Sequence, residues 1–423
     1  MKKRSQVSRR GFLKCAGAAL VAPTIVPSSA FGANERIAVG TIGVGPQGCR
    51  VMEGFLASAS ARVVAVCDVN RLRRDAARDK VNEHYGDSGS AAYSDFRELI
   101  ARSDIDAVQI AVPDHWHVLV ALEAARAGKD MYVEKPLGRS LEEDFALRAA
   151  VQRYGNVFQF GTQHRSERNF RFACELVRNG RIGKLRTMRV ALEASRRSAT
   201  FPAMPVPEWL DYDMWLGPAP WAPFTENRII NQFWWHISDY TLGFVAGQNI
   251  HFGDIAQWGN GTDLTGPVEV AGTGVFPEEG LCDCAIAYNV QCRYANGVVM
   301  HFTDDKVNRQ GVRFEGTDGW VFADIGYVDA HPKELLRTVF RAGEPRLYES
   351  VNHVENFLDC IKTRAKTVCP IEVAVRSDTI CHLADAAMRL RRPLRWDPDA
   401  ERFTDDDEAN RMLGRPMRAP WHL

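Results

Sequence analysis

Lys135 stands between Glu134 and Pro136, directly after the apolar run Met131–Val133. A lysine at the carboxyl end of a strand can hydrogen-bond a hydroxyl and stabilise the alkoxide that develops on it. The bland reading is a surface lysine in a turn. The chain has only eleven lysines against forty-two arginines, so the choice of lysine here is informative. A second stretch, Gly43-Val44-Gly45-Pro46-Gln47-Gly48, is a G-x-G-x-x-G. It follows the apolar run Ile37–Ile42, and Asp68 ends the next such run twenty residues later. In that context the glycines permit a tight turn and close approach to a pyrophosphate. Helix amides face the phosphates, and the acid accepts ribose hydroxyls. Asp68 favours NAD, because a carboxylate repels the 2′-phosphate of NADP; Arg71 and Arg73 nearby soften that preference. A third stretch, Val112-Pro113-Asp114-His115-Trp116-His117, follows another apolar run. It should lie at the carboxyl ends of the strands, where open α/β sheets bind ligands. There His117 either touches a cofactor or caps a helix. The histidines 115, 117, 236 and 251 show no ligand spacing, so no metal is expected.

These stretches need a scaffold, and residues 36–160 supply the pattern for one. Apolar runs at Ile37–Ile42, Val63–Val66, Ala107–Val112, Met131–Val133 and Val157–Phe160 alternate with amphipathic segments at Gln47–Ala57, Arg71–Glu83, Asp95–Ala101, His115–Ala127 and Leu141–Tyr154. Strand–helix alternation at this spacing predicts βαβ units and a parallel sheet. Ser94 and Ser140 are placed to cap two of the helices. After a boundary near 155–165 the pattern changes. Strand-like runs at Leu185–Leu192, Ala285–Tyr294, Val298–Phe302 and Val312–Gly316 are joined by long Pro-rich loops, and helices are expected at His353–Thr363 and Ser377–Arg391. Nine of the ten tryptophans lie beyond residue 200.

The chain has 423 residues with 53 basic and 53 acidic side chains. Lacking a basic surplus, it is not expected to bind nucleic acid. Its length suits two domains. The neutrality depends on the first thirty-three residues. Ser8-Arg9-Arg10-Gly11-Phe12-Leu13-Lys14 precedes a short apolar run, Ala16–Val26, and the small residues Ser28-Ser29-Ala30. This fits a twin-arginine export signal over residues 1–33, and hence a periplasmic or otherwise exported protein. The run is too short to span a bilayer, which takes about 20 residues. Cleavage after Ala30 or Ala33 removes six basic groups and leaves the mature chain about six charges acidic. Ten cysteines include Cys15 in the signal, so at least one of the other nine is unpaired. Buried free thiols are expected for most of them. A Cys282–Cys292 or Cys284–Cys292 disulfide stays open.

Taken in order, the Gly-Val-Gly-Pro-Gln-Gly, Pro-Asp-His-Trp-His and Glu-Lys-Pro stretches resemble the Gfo/Idh/MocA oxidoreductases. The resemblance continues through Gly161-Thr162-Gln163-His164-Arg165, Met214-Trp215-Leu216-Gly217-Pro218-Ala219-Pro220, Phe233-Trp234-Trp235, His251-Phe252-Gly253-Asp254 and Trp396-Asp397-Pro398. It implies an N-terminal Rossmann domain over 36–160. Residues 161–423 would form a C-terminal α+β domain on a large, mostly antiparallel open sheet, through which such proteins form homodimers or homotetramers. It implies hydride transfer between NAD(P) and a carbinol of a sugar, glycoside or polyol; folded export adds the expectation that the cofactor, NAD or NADP, is loaded before transport and stays tightly bound. Lys135 matches the family's catalytic lysine and His251 its catalytic histidine. Gly43, Gly45, Pro46, Gln47, Gly48, Asp68, Pro113, His117, Glu134 and Lys135 would hold the cofactor. Trp116, Gln163, Arg165, Trp234 and Trp235 would face the sugar.

One position departs from the family pattern. The usual Asp-x-x-x-His places an aspartate four residues before the histidine, and Gly247 stands there. Either Asp239 or His236 substitutes for it, or Lys135 and His251 suffice. Two other activities stay open. One is glycoside hydrolysis through transient ring oxidation with retained NAD; the other is sugar binding without catalysis. An exported enzyme also needs a second substrate or an electron acceptor to recycle a retained cofactor.

Overall fold

The computed structural model describes residues 36–423; the expected signal at 1–33 lies outside them. Ile37–Ile42 is apolar at almost every position and forms β1, buried on both faces. That is the signature of a central strand in a sheet covered on both sides. It pairs in parallel with β2 (Ala61–Cys67) on one side and β4 (Ala107–Ile110) on the other. With β3 (Ala91–Tyr93), β5 (Asp130–Val133) and β6 (Phe158–Phe160), the parallel sheet has the order β3-β2-β1-β4-β5-β6. This is the doubly wound dinucleotide-binding order, and its switch point lies between β1 and β4. The crossover helices are α1 (Pro46–Ala57), α2 (Arg71–Tyr85), α3 (Asp114–Arg126) and α4 (Leu141–Tyr154). Proline at the first position of α1 costs no hydrogen bond, because that amide has no helical partner anyway. Gly155 closes α4 in the left-handed conformation.

Two cap assignments change. Asp95, not Ser94, caps the helix Phe96–Ile100, accepting from the Arg97 amide. Ser140 sits at the cap position of α4, but its side chain makes no capping bond.

The second sheet has nine strands. They are β7 (Leu185–Leu192), β8 (Pro267–Val275), β9 (Ala287–Tyr294), β10 (Val299–Asp304), β11 (Gly311–Gly316), β12 (Trp320–Asp324), β13 (Tyr327–His331), β14 (Leu394–Asp397) and β15 (Arg402–Phe403). Their order is β13-β12-β11-β7-β10-β9-β8-β14-β15, antiparallel throughout except for the β7–β10 pair. Strict alternation along β9 buries Tyr288, Val290, Cys292 and Tyr294 and exposes Asn289, Gln291 and Arg293. One face is therefore covered and the other polar. The covered face packs on α5 (Ile250–Asn260) and α6 (Ile371–Leu390). The helix His353–Thr363 returns to the parallel sheet, where Phe357 packs edge-on against Phe55 and Tyr132.

All nine cysteines among the described residues are free, eight of them buried, so neither disulfide forms. Burial raises the Cys174, Cys292 and Cys369 thiols, leaving them inert. Among the described residues no helix is long and apolar enough to cross a membrane.

Candidate active site

Two cavities meet at the switch point of the parallel sheet. The first spans about 950 Å³ including its open mouth, and is walled by the glycine turn, Asp68, Asn70, Arg73, Pro113 and Trp215. The turn's geometry explains its glycines. A Cβ at Gly48 would stand 1.9 Å from the Gly43 carbonyl oxygen, while one at Gly45 would meet only Arg73 Nη1, at 3.6 Å. Gly48 is thus needed for helix and turn to touch, and Gly45 leaves the groove open above the start of α1. The Asp68 carboxylate accepts from the Val44 amide at 2.9 Å and the Asn70 amide at 2.8 Å. It holds the turn and keeps lone pairs toward the groove. Burial pushes its carboxyl up, opposed by those amides. An open groove, a helix N-terminus and a carboxylate at the β2 end fit a dinucleotide. Arg73 lines this groove; Arg71 is exposed.

The second cavity, about 500 Å³, is lined by Asp114, His117, Glu134, Lys135, Thr241 and Gly247 among others. Both cavities share Gln47, Ala111, Val112, Trp234 and Trp235. Lys135 Nζ donates to the Gly247 carbonyl oxygen at 2.6 Å. A Cβ at Gly247 would find only the Phe244 ring, 3.9 Å away, so an aspartate is not sterically barred there. The main chain at this departure thus occupies the lysine in place of a carboxylate. The turn that carries Lys135 contains a cis Lys135–Pro136 peptide. His117 Nδ1 lies 2.6 Å from the Pro136 carbonyl oxygen and must donate to it. Burial lowers the His117 pKa to about 4, so the ring stays neutral and acts as a fixed donor. Glu134 accepts from Gln47 at 3.0 Å and Gln163 at 2.9 Å, and Gln163 also donates to the Tyr132 hydroxyl.

Asp114 is the residue that motif reading passed over. It is the first residue of α3, buried, and part of the Lys135 cavity. Desolvation raises its pKa to about 7, opposed by a Thr241 hydrogen bond and the Lys135 charge. Its signal in the sequence was its place inside Pro113–His117, where the histidines drew attention. His251, at the start of α5, is not in the cavity lining. Its half-buried ring lies 4.8 Å from that of His164, and Nδ1 has no partner. Burial, then Lys135 and His164, hold its pKa well below 6.5.

Several expected substrate contacts are elsewhere. Arg165 is buried, with Nε 2.7 Å from Asp254 Oδ2 and Nη2 2.7 Å from Oδ1. This fork-to-fork pair leaves the guanidinium no access to a sugar. Trp116 is buried under the first cavity, its Nε1 donating to the Trp215 carbonyl at 3.1 Å and its ring packed on Phe96 and Trp421. Gln163 is committed to Glu134 and Tyr132. His236 is buried beside Phe244, and Asp239 faces Asp283, Arg228 and Arg139; neither lines the Lys135 cavity. Neither therefore fills in for the aspartate missing at Gly247. Trp234 and Trp235 do line both cavities.

Residues 195–423 match a family model described as "Oxidoreductase family, C-terminal alpha/beta domain", and residues 37–162 one described as "Oxidoreductase family, NAD-binding Rossmann fold". A "Glycosyl hydrolase family 109 protein" of Saccharopolyspora erythraea is 39% identical over 122 residues; the match takes in 28% of this chain and about a quarter, 26%, of that relative. Among solved structures, myo-inositol 2-dehydrogenase from Lactobacillus plantarum superposes with a TM-score of 0.61 at 18% identity, covering 85% of this chain and 99% of that one. A levoglucosan dehydrogenase in complex with NADH and levoglucosan gives the same score, identity and coverage. At such identities the likeness to these structures is one of fold.

Proposed function

The chain belongs to the Gfo/Idh/MocA oxidoreductase family, and from that premise we propose that it moves a hydride between a retained nicotinamide dinucleotide and a carbinol of a sugar, glycoside or polyol. The observation that carries this is the wall shared by the glycine-turn groove and the Lys135 cavity. A bound nicotinamide ring supplies the hydride acceptor or donor. Gly43, Gly45, Gly48 and the first turn of α1 hold the phosphates, and Asp68 the ribose. Asp68 favours NAD; Arg73 is the cation a 2′-phosphate would use. Lys135 donates to the reacting oxygen and stabilises its developing charge. His117 and the Gln47–Glu134–Gln163 network keep the lysine's turn in place. Trp234 and Trp235 offer aromatic faces to sugar C–H groups.

The hydroxyl proton has two acceptors near Lys135. His251 is held neutral by burial, and Asp114 has a pKa of about 7. Asp114 shares the substrate cavity and is the better placed. As a base it must be ionised, so sugar oxidation should rise with pH through about 7 and level off above it. In Asp114→Asn that rise should vanish and kcat fall by roughly 10²-fold. A pH–rate profile checks this; an unchanged rise in the variant would remove Asp114 as the base, whereas a rise moved well below pH 6.5 would point to His251.

The twin-arginine pattern supports export of a folded chain already loaded with cofactor. Protein isolated from the periplasm without added nucleotide should then release NAD or NADP on heating, read by mass spectrometry. Fully active periplasmic protein that releases none and binds NAD weakly would count against retention. The open, polar sheet face supports a homodimer or homotetramer. The similarity to the glycosyl hydrolase family 109 relative favours a second reading, in which the same lysine and cofactor serve oxidation, elimination, water addition and re-reduction. Nitrophenyl glycosides that release aglycone without added cofactor would select it.

A further inference from the structure

Behind the lysine turn lies a cluster that hydride transfer does not use. Asp378 and His382 stand four residues apart on α6 and therefore share one helix face. Asp144, from the first turn of α4, meets them from the nucleotide-binding half. His382 Nε2 is 3.3 Å from Asp378 Oδ2 and 4.0 Å from Asp144 Oδ2. Both aspartates are fully buried, and the histidine side chain is 7% exposed. Asp144 Oδ1 and Oδ2, Asp378 Oδ1 and His382 Nε2 have no hydrogen-bond partner. Four buried polar atoms converge, and with the acids ionised the one hydrogen among them is that which His382 Nε2 can carry toward Asp378, leaving both Asp144 oxygens without a donor. Two buried carboxylates without a cation are costly. The nearby Arg148 is ion-paired with Glu401 instead.

We propose that Asp144, Asp378 and His382 form a binding site for a divalent cation of the Mn²⁺ or Zn²⁺ type. Two carboxylates and one imidazole are an O,O,N set suited to those ions rather than to Ca²⁺. Ligand atoms about 2.1 Å from a shared ion stand roughly 3–3.5 Å apart; the His382–Asp378 pair at 3.3 Å meets that spacing, and the His382–Asp144 pair at 4.0 Å must close in on an ion. Space for it depends on Gly138, where a Cβ would stand 2.4 Å from Asp144 Oδ1. The Gly138 amide donates to Asp378 Oδ2 at 3.3 Å. Gly138 lies three residues after Lys135, so the ion would pin the lysine turn between α4 and α6. The site is structural, with no open route to the substrate cavity required.

The competing occupant is a proton. Without a cation, burial and Asp378 push the Asp144 carboxyl well above the usual range, and one proton would bridge the acids. The test uses the intact protein, stripped with a chelator and then dialysed against Mn²⁺ or Zn²⁺. Mass spectrometry of the elements should find about one ion per chain, and Tm should rise on loading. Asp144→Asn, which mimics a protonated acid in shape, should lose both the ion and the metal-dependent Tm shift. Less than about a tenth of an equivalent after loading would overturn the site in favour of the shared proton. So would equal binding by wild type and Asp144→Asn, or a wild-type Tm indifferent to chelator and metal.

Discussion

Lys135→Met should lower kcat for sugar oxidation by about 10²–10⁴-fold while changing dinucleotide affinity only a few-fold. Methionine keeps most of the stem's volume and removes only the ammonium. The single side-chain hydrogen bond that disappears within the protein is the one to Gly247 O, a main-chain acceptor at the end of the short helix Phe244–Gly247. The phosphate-facing turn and Asp68 stay as they are, so the cofactor keeps its anchors. What is lost is the cation beside an oxygen whose negative charge grows as the hydride leaves. That stabilisation acts in the transition state more than in the ground state, so the loss falls on kcat rather than KM. Steady-state kinetics on a sugar panel, with cofactor titration by fluorescence quenching, measures both. Wild-type turnover in Lys135→Met would remove the lysine from the chemistry. A collapse of cofactor binding with it would make the residue part of the nucleotide site instead.

The family's aspartate is absent at Gly247, and this bears on how the variant is read. With a carboxylate there, the lysine would sit in an ion pair. Here it sits on a carbonyl, and the carboxylates that share its cavity, Asp114 and Glu134, come from the other half of the chain. The open space beside Gly247 allows the pattern to be restored. Gly247→Asp in the Asp114→Asn background would show whether a carboxylate is needed from either side.

Legibility in the sequence followed how local each feature is. Ile37–Ile42 was exact because a strand covered on both faces is a continuous apolar run between turn residues. Leu185–Leu192 and His353–Thr363 were equally sharp for similar reasons of composition and period. The strands β3, β12, β13, β14 and β15 are not legible there; they have only two to five residues, too few to show a period. Pro267–Val275 is not singled out as a strand either, since it holds two glycines and a proline; Val290, packed against Gly272, explains why small residues are needed there. The glycine turn, Asp68 and Lys135 were legible because their roles are set by neighbours in sequence. Trp116, Arg165 and Asp114 were not, because what decides their roles comes from far along the chain: Trp215 and Trp421, Asp254, and Thr241. The tryptophan-rich half illustrates the same limit. Trp215, Trp258 and Trp396 are buried, Trp221 stands exposed, and only Trp234 and Trp235 line both cavities. Enrichment in tryptophan there reflects core packing of helices and strands more than carbohydrate contact.

Arg165→Met offers the sharpest contrast between those two kinds of reading. As a sugar contact, the change would raise KM and leave stability alone. As the partner of Asp254, it should destabilise the fold by about 3–5 kcal/mol, because it strands a buried carboxylate. Asp254 is fully buried and holds both guanidinium bonds; its other partner is the Ser377 hydroxyl at 2.6 Å. One neutral hydroxyl cannot replace a bidentate cation. The ring of Trp258, 5.0 Å from the Arg165 guanidinium, loses its cation as well. Urea unfolding followed by fluorescence measures the loss. The double variant Arg165→Met/Asp254→Leu should recover most of it, since an apolar pair of similar volume leaves no orphaned charge. Recovery in the double variant with KM near wild type would mark the pair as scaffold. Full stability in Arg165→Met with a raised KM would return the arginine to the substrate. The structural outcome has a consequence for the site: the pair ties the segment after β6 to α5, the helix that carries His251. Loosening it should therefore also shift the His251 ring relative to Lys135. A fall in kcat that the double variant reverses would trace that link.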